Sequence, residues 1–175
     1  MTDASAASGR PGSDFLGFYD DALPRVYGYF ARRCGHAAVA QDLTAETFLA
    51  AVAASRKEAP PPMSVPWVLG AARHKLVDHW RRTARDERNL QVLADAVPTA
   101  DDPWDAELDA VRARQTLEQL AAQHRAALTL RYLDDLPVPE VAALLGRTVD
   151  ATEALLVRAR AAFRRAYTDE ERCDA

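Results

Sequence analysis

The C-terminal third of the chain carries a short apolar helix pattern from Pro139 to Leu145, a Gly146-Arg147-Thr148 turn, and a longer helix pattern from Val149 to Tyr167. That spacing is the strongest local constraint on the fold. Gly146 can take the positive φ that so tight a turn needs, and Thr148 can cap the helix that follows. Val141, Leu144, Leu156 and Phe163 then fall on facing stripes and supply a shared core. This is helix-turn-helix spacing. A generic helical hairpin has the same outline; the arginines Arg158, Arg160, Arg164 and Arg165 on the second helix tip the reading toward a nucleic-acid partner.

Upstream, apolar residues recur at helical intervals. Phe15, Leu16, Phe18 and Tyr19 open a helix near Ser13, and Pro24 suits the first turn of a second segment continued by Val26, Tyr27, Tyr29 and Phe30. Gly35 closes it. The next helix is expected from Ala37 to Arg56 with Val39, Leu43, Phe48 and Val52 inward, stopped by Pro60, Pro61 and Pro62. A third starts near Val65, with Leu69, Ala72, Leu76 and Trp80 on one stripe. Its opposite stripe holds His74, Asp78, Arg81 and Arg85, flanked by Lys75 and Arg82, a basic face. Asp102-Pro103 opens a helix to about Gln119, and another covers about Gln123 to Tyr132.

The net charge of −4 would argue against nucleic acid if it were evenly spread, but it is not. Residues 73–88 hold six Arg or Lys against three acids, whereas 91–109 hold six acids and no base. Residues 92–102, with little apolar periodicity, read as an acidic linker. The expected organisation is all-α: a tail at 1–12, a helical domain at 13–91, the linker at 92–102, a helix-turn-helix domain at 103–168 and a tail at 169–175. No apolar run approaches the roughly 20 residues that cross a bilayer, and 1–12 has no hydrophobic signal core, so a cytoplasmic location without membrane insertion is expected. Cys34 and Cys173 are read as reduced thiols, and His74 with Asp78 as a surface pair rather than a metal site. No nucleophile with a paired base, phosphate-binding glycine loop or metal cluster is found, so neither catalysis nor a cofactor is expected.

Two separated motifs resemble the extracytoplasmic-function (ECF) group of the sigma-70 transcription initiation factors, in the family's order. Residues 40–49, AQDLTAETFL, look like its clamp-binding helix, and Trp67-Val68-Leu69 through Asp78-His79-Trp80-Arg81-Arg82 look like its promoter-melting helix. LPVPEVA at 136–142, with Leu145-Gly146 and Arg158-Ala159-Arg160, resembles its terminal helix-turn-helix. The resemblance implies a dissociable subunit that takes core RNA polymerase, through the β′ clamp and β flap, to particular promoter DNA. It implies Asp42, Leu43, Glu46 and Phe48 at the clamp, and Arg73, His74, Lys75, Asp78, Arg81, Arg82 and Arg85 at the minus-ten element. At the minus-thirty-five element it implies Arg147, Thr148, Val149, Asp150, Thr152, Glu153, Arg158 and Arg160. It further implies an anti-sigma partner and a monomer when free.

The chain departs from the family pattern at His74, where an Asn is frequent, at Ala45, where a Gln is frequent, and at Ala151, Glu153 and Leu155 in the recognition helix. Two other readings stay open. One is a helix-turn-helix regulator that binds duplex DNA without polymerase; the other is a protein-interaction module without DNA contact, motivated by those three recognition-helix residues.

Overall fold

The computed structural model describes residues 11–90 and 110–173. The expected linker at 92–102, the start of the helix at Asp102-Pro103 and most of the N-terminal tail lie outside them. The described residues form seven helices and no strand: α1 Pro11–Ala31, α2 Ala37–Ser55, α3 Val65–Leu90, α4 Ala110–Gln119, α5 Ala122–Leu128, α6 Val138–Leu145 and α7 Val149–Cys173. A π-helical turn, Thr129–Leu133, prolongs α5. Packing divides the chain into two compact units, one built from residues up to Ala31 with His36–Lys75, the other from Arg32–Gly35 with the residues from Leu76 onward.

In the first unit, Val26 and Phe30 of α1, Leu43, Thr47 and Ala51 of α2, and Val68 and Ala72 of α3 are buried. Tyr19 meets the ring of Phe48 edge-on at 4.7 Å between centroids. The two buried threonines of α2 satisfy their hydroxyls inside the helix: Thr44 Oγ1 donates to the Ala40 carbonyl and Thr47 Oγ1 to the Leu43 carbonyl, both at 2.7 Å. α1 differs from expectation. It runs unbroken through Pro24, which lies on the exposed side, where water can replace the missing N–H as partner of the freed carbonyl. The helix then ends at Ala31, four residues before Gly35.

The second unit holds two buried clusters. Leu120, Leu128, Leu155, Leu156 and Phe163 form one. Val77, Leu130, Leu136 and Val141 form the other. Since Val77 belongs to α3, the packing boundary falls inside that helix rather than in the expected linker. Glu87, further along α3, accepts the Ala122 N–H at 3.0 Å, which places a carboxylate on the first turn of α5. Arg33, in the turn after α1, donates from Nε to Asp134 Oδ1 at 3.1 Å and pairs with the same oxygen through Nη2.

Between α6 and α7 the turn is built as its residue types predict. Gly146 sits at φ 62°, ψ 41°. Its N–H donates to Ala143 O at 3.2 Å and that of Arg147 to Ala142 O at 3.0 Å, the paired bonds of a Schellman C-cap. Thr148 Oγ1 accepts the Ala151 N–H at 3.2 Å and caps α7. α7 extends past the expected end at Tyr167 to Cys173, absorbing most of the expected C-terminal tail.

Cys34 is partly buried, and burial pushes its thiol up to about 11, with Arg125 and then Arg33 opposing the rise and Glu118 adding to it. In the unfolded chain the thiol ionises near about 8.5. From roughly pH 9 to 11 the unfolded state therefore releases a proton that the folded state keeps, and stability falls as pH rises through that window. The difference in urea midpoint between the parent and Cys34→Ala is expected to be constant below pH 8 and to shrink from pH 9 to 11. A difference that stays level to pH 11 contradicts the burial account.

Candidate nucleic-acid interface

α3 is apolar on one side and charged on the other. Its buried residues are Val68, Ala72, Leu76, Val77, Trp80 and Ala84. His74, Asp78, Arg81, Arg82 and Arg85 are all exposed, as the expected stripe requires, while Arg73 and Lys75 are half-buried at its flank. Lys75 Nζ lies 3.3 Å from Glu46 Oε2, so a residue expected at the DNA and one expected at the clamp neutralise each other. Asp78 Oδ1 is 3.5 Å from Arg81 Nη1. Arg81 Nη2 also donates to the Leu144 carbonyl. Arg82 and Arg85 are exposed beside them, and with Asp86 as the further exposed acid on α3 the charge is mainly positive, which suits phosphates through long-range attraction and guanidinium hydrogen bonds.

The expected clamp residues separate by burial. Asp42 is exposed and Glu46 half-buried, but Leu43 and Phe48 are 2% and 6% exposed and belong to the core of the first unit. They hold α2 in place. Leu49 is 70% exposed and lies seven residues after Asp42, hence on the same face. Ala45 completes that face.

In the helix-turn-helix, Arg147, Thr148, Val149, Asp150 and Glu153 are exposed, and Arg158 and Arg160 half-buried. Thr152 is an exception. It is fully buried and its hydroxyl donates to the Thr148 carbonyl at 2.9 Å, so it faces the core and not a groove. Leu155, read as an unusual recognition residue, is 1% exposed and packs inside the second unit. Its apolar nature is a packing requirement. The outward face of α7 also presents Ala154 and Val157, four residues after Asp150 and Glu153, a spacing that could have identified them. Asp150 and Glu153 suit the positive start of α7 but repel phosphates, leaving Arg147 as the exposed cation at that end.

Among the described residues, no group of three His, Cys, Asp or Glu side chains is placed to hold a metal ion. Nor is any helix among them long and apolar enough to cross a membrane.

The Sigma-70 region 2 family model matches residues 18–86, and the Sigma-70, region 4 model residues 110–163. The chain is similar to the ECF RNA polymerase sigma factor BldN of Streptomyces coelicolor, 30% identical over 159 residues that cover 88% of this chain and 60% of that protein. It thus spans about 60% of the length of that relative. It is also similar to the RNA polymerase sigma factor CarQ of Myxococcus xanthus, 29% identical over 128 residues, covering 70% of this chain and 71% of the other. Among solved structures, the complex of the sigma factor RpoE with the anti-sigma factor NepR from Bartonella quintana matches with a TM-score of 0.52 at 20% identity, over 89% of this chain and 97% of the other, a likeness of fold.

Proposed function

The chain belongs to the ECF group of the sigma-70 family, and from that membership we propose that it is a promoter-specificity subunit which joins core RNA polymerase in the cytoplasm and opens DNA at the start site. The observation that carries this reading is the presence of both regions, 18–86 and 110–163, in the family's order. On this reading residues 13–91 dock and melt, 103–168 bind upstream duplex, and the acidic stretch 92–102 spans the enzyme between them. Family members of this kind are not enzymes, and no cofactor enters the reading.

The exposed cations Arg81, Arg82 and Arg85 hold phosphates of the minus-ten element, and His74 is the exposed polar group on the same stripe that approaches a base. Phosphate contacts fix register without reading sequence, so base selection falls to His74 and to the proline-containing loop before α3. In the second region Val149, Ala154 and Val157 meet the major groove through apolar contact, for which thymine methyl groups are the matching edge. Glu153 can accept from a cytosine amino group. The β flap of the polymerase and an anti-sigma protein are the further partners that family membership suggests.

Transcription with purified core polymerase across a genomic promoter library tests the assignment: selective initiation supports it, and none sinks it. A regulator acting without polymerase would instead shift a palindromic duplex by itself. At the clamp, Asp42, Ala45 and Leu49 form the docking face, with Leu49 as its apolar centre. Leu49→Lys is expected to weaken binding to core polymerase by roughly tenfold or more, about 1.4 kcal/mol, with no fall in melting temperature because the residue is exposed. Unchanged affinity would move the docking face elsewhere.

A further inference from the structure

The second unit contains a hollow of about 410 Å³. α3 contributes Trp80, Arg81 and Arg85, α5 contributes Gln123, the turn contributes Arg147, and α7 contributes Leu155. Three arginines therefore line one small space, and none of its described lining residues is an acid. Asp78 Oδ1 lies 3.5 Å from Arg81 Nη1 and offsets one of the three. Arg147 Nη2 reaches only the neutral Gln123 Oε1, at 3.5 Å.

The floor is different in kind. Trp80 and Leu155 are 3% and 1% exposed and form part of the packed interior. A concave surface with a low-dielectric floor concentrates the field of the charges at its rim, so an anion there is attracted more strongly than on an open face. Guanidinium groups match phosphate oxygens in shape as well as charge. Gly146 matters to this geometry. A Cβ built on it would stand 3.0 Å from Arg81 Nη2, in a backbone conformation that side chains rarely adopt, so glycine lets that guanidinium lie against the turn.

From this combination we infer that the hollow is a binding site for a nucleoside mono- or diphosphate, with the phosphate held by Arg81, Arg85 and Arg147 and the base on the apolar floor. Its volume lies in the range of small-molecule sites, about 300–1,000 Å³. Gln123 at the rim has both a donor and an acceptor to offer the base edge or the ribose. A bound nucleotide occupies Arg81 and Arg85, two cations of the α3 stripe, so it competes with DNA for them. The inference itself rests on the hollow and not on the promoter reading, and its test requires no polymerase.

The experiment is calorimetric titration of the full chain at low salt with GMP, AMP and GDP, alongside guanosine and inorganic phosphate. At least one nucleotide is expected to bind saturably with a dissociation constant below about 1 mM, roughly tenfold or more tighter than either guanosine or phosphate alone. Gln123→Glu places a carboxylate beside Arg147 without removing a cation, and is expected to weaken that nucleotide roughly tenfold. Arg147→Ala, at an exposed turn residue, should do the same, and circular dichroism of both variants should match the parent. Absence of saturable binding, equal binding of phosphate or guanosine, or parent-like binding by both variants each overturns the site. A single-stranded oligonucleotide that binds at the hollow while free nucleotides do not also overturns it.

Discussion

Replacement of Asp134 by Ala is expected to destabilise the second unit by about 3–5 kcal/mol, the usual consequence of leaving a buried charge without its counter-ion. The side chains of Arg33 and Asp134 are 10% and 2% exposed, so solvent does little to compensate the loss. Replacing both at once with apolar residues of similar volume, Arg33→Met with Asp134→Leu, should recover most of the stability, since neither partner is then stranded. Asp21→Ala supplies the contrast: Asp21 and Arg25 are each 61% exposed at 3.5 Å, and an exposed pair of this kind is worth about 0–1 kcal/mol. Urea midpoints of the four proteins measure all of this. An Asp134→Ala midpoint close to that of Asp21→Ala would mean that the pair is far more hydrated than its burial indicates.

The second large effect concerns promoter opening. Arg82 and Arg85 are exposed on the charged stripe of α3, and the proposed role gives each a phosphate. Losing two phosphate contacts lowers the slope of log affinity against log salt by about 1.4 to 1.8, between single-strand and duplex values. At about 0.1 M salt that corresponds to a loss of roughly 25- to 60-fold. The double variant Arg82→Ala with Arg85→Ala should therefore form open complexes far less well, and the deficit should narrow as salt rises. An unchanged salt slope would show that these arginines do not meet phosphates. Binding of the variant to core polymerase serves as the control, because the stripe lies on a different helix from the proposed docking face.

The parts of the fold that could be read from sequence are those decided within a few residues. Gly146 and Thr148 specify their turn by local chemistry, and both take the expected roles. The charged stripe of α3 follows from periodicity because its two sides differ so strongly in polarity. On α2 periodicity rightly turns Leu43 and Phe48 inward, whereas the resemblance implied the same two residues at a partner surface. Thr152 was mistaken for a similar reason: a hydroxyl can be buried at little cost when the helix offers it a carbonyl one turn back. The Arg33–Asp134 pair joins residues 101 positions apart and leaves no local trace. The hollow lined by Arg81, Arg85 and Arg147 was illegible on the same grounds, since only tertiary packing brings Arg147 to the other two.

The π-helical turn at Thr129–Leu133 makes the number of residues in this segment matter as much as their identity. Asp134 N–H reaches back five residues to Thr129 O at 3.0 Å, and Leu136 N–H six residues to Leu130 O at 3.1 Å. Such a turn amounts to a one-residue insertion in an ordinary helix. A further residue inserted after Tyr132 could not be taken up in the same way, because the turn already holds its extra residue, and it would rotate everything beyond it by about 100°. Asp134 would then swing away from Arg33, and Leu136 from Val77. Tyr132 is 39% exposed, so Tyr132→Ala should cost little. The insertion should lower the melting temperature far more than the substitution does, which makes this stretch intolerant of added length where it accepts a change in side chain.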